Sequence, residues 1–466
     1  MKRLSRRQLL GALTAAPALG AIETVAQTRT TASLSEAIAA IPIADVHGHA
    51  FPALTPITER IFLEELSMSA WQMDAYFPQV YRQWKAANGE EQSRLDREYG
   101  IEKRLDDVVY HFANTVFVEF LVQEMARYFK CKPNLKDVVA ARNERTQRDY
   151  WKYVNDLFGA AKLQAMFLTS ALGAWTMPGL PVPDFSKKVN ARVHSIFSVD
   201  PLHGSLMGED ISFEEALAKN AARVRMEIVE NGNLGFKSHI ATRAGLDVQP
   251  LTREEVQQAW LDYRKLSAEE KRREAQGTLR PESAKKIRHY LLWQTCGIAY
   301  ELDVPVHIHS GDGGEGQGNL SRQYPYNLEN VVRYPVEFPQ KHLKIVMIHG
   351  GYPHVDQAAY LSHVFNNVWF DTSFMNPLAN RGLHERMLTI LEMAPVTKIM
   401  HGSDGYHLPE FFYVAAIWGR RYTASALSVL VNQGIYTQDR AVQVARGILW
   451  ENAHHLHKLT VPNPAV

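Results

Sequence analysis

From about residue 40 onward, short apolar runs rich in β-branched residues alternate with longer segments whose apolar positions recur at helical spacing. Eight such runs stand out: Ile43–His49, Leu163–Thr169, Arg192–Ser198, Leu234–Ile240, Val304–His309, Lys344–His349, Val368–Ser373 and Lys398–Asp404. Their length and alternation predict strands. The connections after the third run leave room for a crossover helix, and the shortest of them still holds a helical stretch at Val355–Phe365. Strands alternating with helices imply a parallel sheet, and eight units imply an α/β fold of the (β/α)8 TIM-barrel type. The competing architecture, an open doubly wound sheet, is disfavoured because no Gly-x-Gly-x-x-Gly follows the first run. Polar residues agree with the barrel: His49, His309, His349 and Asp404 each close a run, at the strand ends where barrels keep their chemistry.

More than a strand's worth of chain separates the first two runs. The segment at about 51–162 reads as helices over Thr58–Ala70, Gln79–Ala87, Leu105–Phe129 and Leu135–Phe158. An insertion leaving the C-terminal end of a strand overhangs the barrel mouth, so a helical cap is expected there. Its aromatics, Trp71, Tyr76, Phe77, Tyr81 and Trp84, read as core of that cap rather than as substrate contacts. The charged run Arg253–Arg288 reads as a solvated helical face. The glycine cluster Gly311, Gly313, Gly314, Gly316 and Gly318 follows the fifth run. It lacks the Gly-Lys-Ser/Thr ending of a phosphate loop, and reads equally as a mobile lid or a flexible surface loop.

The N-terminus is expected to lie outside the barrel. Lys2, Arg3, Arg6 and Arg7 precede an Ala-rich apolar stretch too short to span a membrane, the layout of a signal peptide. Ser5-Arg6-Arg7-Gln8-Leu9-Leu10 resembles the twin-arginine pattern. We therefore expect residues 1–26 to be an export signal, residues 27–466 to form the barrel with its cap, and the mature protein to be periplasmic or secreted without a membrane span.

Composition narrows the chemistry. With 51 Lys plus Arg against 50 Asp plus Glu there is no basic field for a nucleic acid, so a small-molecule substrate is the expected partner. Apolar cap helices could pair chains into a homo-oligomer. Two cysteines, Cys131 and Cys296, cannot supply a thiolate cluster, so any metal must be held by imidazole and carboxylate. In the first run His47 and His49 share a strand face, with Asp45 one step deeper. His309 is the better ligand of the fifth run, with His307 a layer below reading as an interior residue. In the eighth run Asp404 shares parity with Gly402 and Met400, whereas His401 points the other way.

Taken together, Asp45-Val46-His47-Gly48-His49, His309-Ser310-Gly311, His349-Gly350-Gly351, Asp371-Thr372-Ser373 and Gly402-Ser403-Asp404 resemble the signature of the amidohydrolase superfamily. The likeness is to its amidohydrolase-related branch, which includes aminocarboxymuconate-semialdehyde decarboxylase. Glu451-Asn452-Ala453 with Leu456 resembles that branch's last helix. Gly235-Phe236-Lys237-Ser238, Arg243-Ala244-Gly245-Leu246 and Asp404 to Glu410 are most similar to the nodulin-like and glutamine-synthetase-fused members. The resemblance implies a barrel in which His47, His49, His309 and Asp404 hold a divalent metal and His349 serves catalysis. Imidazole and carboxylate suit Zn first, with Mn or Fe as alternatives. One ion is expected. Two would require Lys237 to be carbamylated as a bridge, with His309 and His349 on the second ion; otherwise Lys237 is a cation facing a substrate carboxylate. Arg243 is a candidate bidentate clamp on such a carboxylate. The implied activity is hydrolysis of an amide or related C–N bond, with Asp404 as general base and His349 as electrophile or acid. The alternative within the same branch is a metal-dependent, non-oxidative decarboxylase.

Overall fold

The computed structural model describes residues 34–67, 80–169, 179–275, 279–311, 320–333 and 342–461. Residues 1–26, expected to be an export signal, and Trp71, Tyr76, Phe77 and four of the five clustered glycines, Gly313, Gly314, Gly316 and Gly318, lie outside the described residues. Eight strands pair in parallel in chain order: β1 Ile43–His49, β2 Leu163–Thr169, β3 Arg192–Ser198, β4 Phe236–Ser238, β5 Val306–His309, β6 Ile345–Ile348, β7 Val368–Asp371 and β8 Ile399–Met400. Closure comes from a bridge between Gly48 and Gly405. Around it, Val46 N–H donates to His401 O (3.0 Å), Asp404 N–H to His47 O (2.8 Å) and His49 N–H to Gly405 O (2.7 Å). The architecture is the expected TIM barrel.

Strands β4 to β8 are all shorter than their apolar runs, and three of them, β4, β6 and β8, end for identifiable local reasons. At the end of β4, Ser238 Oγ accepts from Ile240 N–H (3.1 Å) and Asp200 from His239 N–H (2.7 Å), turning the chain into the helical turn Ile240–Arg243. Beyond β6 and β8, His349 and Asp404 take positive φ of 68° and 60°, which breaks the extended conformation. The closing segment also needs glycine on both sides. A Cβ at Gly48 would lie 2.8 Å from the Phe412 ring, and one at Gly405 2.4 Å from it.

Between β1 and β2 the described residues form seven helices: α1 Glu59–Ser67, α2 Val80–Ala86, α3 Gly89–Tyr99, α4 Ile101–Ala113, α5 Val116–Phe129, α6 Leu135–Arg148 and α7 Tyr150–Ala160. Two segments read from sequence as single helices are each divided. Thr115 caps α5 by accepting from Val118 N–H, and Asp149 caps α7 by accepting from Lys152 N–H. α3 escaped the sequence reading because only Leu95 of its residues is buried, leaving almost no apolar period. Tyr81 and Trp84 are buried and stack at 5.9 Å.

The remaining long helices wrap the barrel: α8 Phe213–Val229, α9 Arg253–Arg264, α10 Glu282–Leu302, α11 Val355–Val364, α12 Leu383–Met393, α13 Pro409–Asn432 and α14 Gln438–Arg446. The helical insertion is fastened to α13 from within the core. Arg142 Nε donates to Glu410 Oε1 (2.6 Å) and Tyr153 Oη to the same oxygen (2.7 Å), with both charged side chains fully buried. Among the described residues no helix is long and apolar enough to cross a membrane. Cys131 and Cys296 are both free.

Candidate metal centre

Six of the seven sequence-predicted site residues converge inside the barrel at the C-terminal ends of β1, β4, β5, β6 and β8. His47, His309, His349, Asp404 and Lys237 are buried, and His49 is nearly so. His47 Nε2 and His49 Nε2 approach the same oxygen, Asp404 Oδ1, at 3.1 and 3.4 Å. One donor atom each from His47, His349 and Asp404 falls within a 4.8 Å span. His349 therefore stands inside the cluster. His309 is reached through it, with His349 Nε2 and His309 Nδ1 3.2 Å apart. Arg243 is elsewhere: its Nη1 donates to Ala275 O (3.3 Å) and it lines a separate cavity beside the mouth. His401 turns away, bonded to Asn376 (2.9 Å) against Gly419 of α13.

Neighbours to which the sequence reading gave no role in the site fix each group. Asp45 accepts from Ser403 N–H (2.9 Å) and Ser403 Oγ–H (2.5 Å), and so pins the turn that carries Asp404. Thr169, the last residue of β2, bonds His49 Nδ1 at 2.9 Å. Asp371 and Ser373 hold His349. Ser373 Oγ–H donates to Asp371 Oδ1 (2.5 Å) and faces His349 Nδ1 at 2.9 Å, while His349 N–H donates to Asp371 Oδ1 (2.9 Å). The available signal was positional, since Thr169 and Asp371 end strands and Ser373 shares parity with Asp371. A further pair, Glu65 of α1 and His407 of the β8 loop (2.5 Å apart), ties the insertion to the rim of the site.

Protonation follows from these contacts. Ser373 gives its proton to Asp371, so it must accept from His349 Nδ1–H, and His349 Nε2 is left with a lone pair. That lone pair accepts from His309 Nδ1–H, which leaves a lone pair on His309 Nε2 with no hydrogen-bond partner among the described residues. Burial, and then the Lys237 cation, push His47 down to about 3, with Asp404 opposing. Burial also lowers His309, reinforced by Lys237, and lowers His349 against the pull of Asp404. Burial alone would raise Asp404. The neighbouring His47 and His349, with hydrogen bonds from His47 and His49, more than offset it and hold the carboxylate well below its usual range.

Neutral imidazoles around an ionised carboxylate are the protonation states a divalent cation requires of its ligands. The orphaned lone pair of His309 and the shared focus on Asp404 Oδ1 fit such an ion. The other ring nitrogens of His49 and His349 already have partners, as metal-binding histidines do. The residues present therefore fit a divalent metal.

The chain is similar to several known proteins. Residues 258–459 match the amidohydrolase family. The curated protein fluG of Emericella nidulans is 28% identical over 292 residues, which cover 60% of this chain and 32% of fluG, so the chain spans about a third of that relative's length. Among solved structures, a "putative metal-dependent hydrolase" from Lactobacillus casei superposes with a TM-score of 0.68 at 20% identity, over 91% of this chain and 97% of the other. Glucuronate isomerase from Caulobacter crescentus superposes with a TM-score of 0.61 at 14% identity, over 94% and 96% respectively. Barrel and histidine–aspartate cluster together define a metal-dependent barrel enzyme. The match to the amidohydrolase family is carried by residues 258–459, the part of the chain that holds β5 to β8 and with them His309, His349 and Asp404.

Proposed function

We propose that the protein is a metal-dependent hydrolase that cleaves an amide or related C–N bond of a small, carboxylate-bearing molecule. The observation that carries this reading is the convergence of His47, His349 and Asp404, in their metal-ready protonation states, on one buried point at the barrel mouth. His47, His49, His309 and Asp404 would hold one ion, with Zn the best match to the donor set and Mn or Fe the alternatives. When bound, the ion supplies Lewis acidity to a substrate carbonyl and brings the pKa of an adjacent water toward neutrality. Asp404 is ionised and accepts the water's proton as general base. His349 Nε2, which carries a lone pair toward the same point, would take that proton from Asp404 and pass it to the leaving amine. Ser373 and Asp371 hold the imidazole in that tautomer and stabilise its charged form while the proton is in transit. Lys237, fully buried at the end of β4, supplies a fixed positive charge to which a substrate carboxylate is drawn.

The arginine pair and apolar stretch at the N-terminus support export by the twin-arginine route to the periplasm or beyond. That route carries folded proteins and allows the metal to be loaded beforehand.

The test is to purify the protein without chelator and measure bound metal by elemental mass spectrometry. It is then assayed against a panel of N-acyl amino acids for released amine and acid, before and after chelation. About one ion per chain, with amide cleavage lost on chelation and restored by Zn, Mn or Fe, is expected. Asp404→Asn should lose both metal and turnover. Release of carbon dioxide with the amide intact would overturn the hydrolase reading in favour of a decarboxylase.

A further inference from the structure

Every strand of the barrel but one brings to its C-terminal end a polar side chain that already has a part in the metal centre or its support. β1 supplies His47 and His49, β4 Lys237 and β5 His309, and the turns after β6 and β8 supply His349 and Asp404. Thr169 of β2 bonds His49 Nδ1, and Asp371 of β7 holds His349 through its backbone and through Ser373. The exception is β3, which ends in Ser198.

The sheet fixes where Ser198 points. Ile196 of β3 pairs with Thr169 of β2, and partners in register lie on the same face of a sheet. Thr169 faces the interior, where His49 lies, so Ile196 does too, and Ser198 follows two residues nearer the mouth on the same face. Phe197 between them faces outward, with the Arg223 guanidinium of α8 5.8 Å from its ring centre. On its other side Ser198 pairs in register with Lys237 of β4, whose charge acts on His47, His309 and His349. Ser198 is therefore the inward neighbour of Lys237.

Ser198 is 3% exposed, and its Oγ has no hydrogen-bond partner among the described residues. Buried hydroxyls are normally satisfied, because an unmatched one forfeits its hydrogen bonds to water. Alanine would fill the same space without that cost, so an uncommitted hydroxyl at this point calls for a partner that arrives with the substrate. The neighbouring cation decides which kind. In the field of Lys237 the hydroxyl dipole turns its oxygen toward the charge and its hydrogen away, so that Ser198 offers a donor. A donor beside a cation suits a carboxylate. We propose that Ser198 is a substrate-binding residue whose Oγ–H donates to the substrate's carboxylate beside Lys237, and so selects for acidic substrates. This rests on the reading of the substrate as carboxylate-bearing, and its test is kept apart from cleavage.

Glutarate, a carboxylate with no bond to cleave, is titrated by calorimetry into metal-loaded wild type and Ser198→Ala. In parallel, KM and kcat are measured for the N-acyl amino acid cleaved best and for its counterpart in which hydrogen replaces the carboxylate. The expected result is weaker glutarate binding and a higher KM in Ser198→Ala, each by about tenfold or more, with kcat changing far less. The rise in KM should be confined to the substrate that bears the carboxylate. Melting curves and metal content establish that the variant is folded and loaded. Absence of glutarate binding to the wild type, equal affinity in the two proteins, an equal rise in KM for both substrates, or loss of metal from Ser198→Ala would overturn the proposal. Glutarate binding that depends on Ser198, in a protein that cleaves no N-acyl amino acid, would instead overturn the hydrolase reading and leave Ser198 in its role.

Discussion

His349 and Asp404 are the two residues of the metal centre with positive φ, at 68° and 60°. A side chain in that region costs conformational energy that only surrounding contacts can maintain. Here those contacts are the Asp371–Ser373 pair on His349 and the Asp45–Ser403 pair beneath Asp404. The two arrangements are parallel: a buried carboxylate on a strand accepts from a serine hydroxyl, and the serine fixes the neighbouring reactive group. Removing the serine should therefore cost function before it costs fold. Ser373→Ala deprives His349 Nδ1 of its partner without opening a large cavity. We expect turnover to fall by about 10- to 100-fold with metal content unchanged. Parallel measurement of kcat and of metal stoichiometry checks this, and loss of the metal instead would mean that Ser373 shapes the ligand set itself.

At the scale of elements, the insertion between β1 and β2 depends on one buried contact. Arg142 of α6 reaches Glu410 of α13, both fully buried, and Tyr153 of α7 shares the same carboxylate oxygen. Truncating one partner leaves the other charge stranded in a medium that cannot solvate it. Arg142→Ala should destabilise the protein by about 3–5 kcal/mol, while the double replacement Arg142→Met, Glu410→Leu should recover most of that loss. Denaturant unfolding of the three proteins measures both. None of this was legible in the sequence, because the partners are 268 residues apart and each sits among ordinary helical residues. The strands were legible because parallel barrel strands are buried on both faces and read as continuous apolar runs. The polar ends of those runs marked His47, His49, His309 and Asp404. What the pattern could not supply was contact between strands. Strand parity says on which side Thr169 and Ser373 point, but not that they meet His49 and His349. Helix breaks were hidden for a related reason, since Thr115 and Asp149 interrupt segments whose apolar period continues across them.

For the whole molecule, the count of buried neutral histidines decides the response to acid. Away from the metal centre, burial pushes His203 down to about 3 and His289 to about 4, helped by the nearby cations Arg288 and Lys285 respectively. His401 is pushed down to about 3 by burial and by Arg420. In the unfolded chain each regains an ordinary pKa near 6.5 and binds a proton that the folded state refuses. The stability these residues allow is thus complete above about pH 6.5, and declines as pH falls toward the depressed folded values. Over that window each should remove roughly 1 kcal/mol per pH unit, so the melting temperature should fall steeply between neutral pH and about pH 4. His203 isolates the effect because it lies outside the barrel mouth, against Thr295 of α10 (3.5 Å). His203→Gln keeps a hydrogen-bonding side chain but cannot titrate. Melting curves of wild type and variant, both metal-free so that competition at the metal centre cancels, should diverge progressively below about pH 6.5, with the variant showing the shallower decline. Parallel curves would mean that His203 is already charged in the folded protein, and that the acid limb is set by the carboxylates instead.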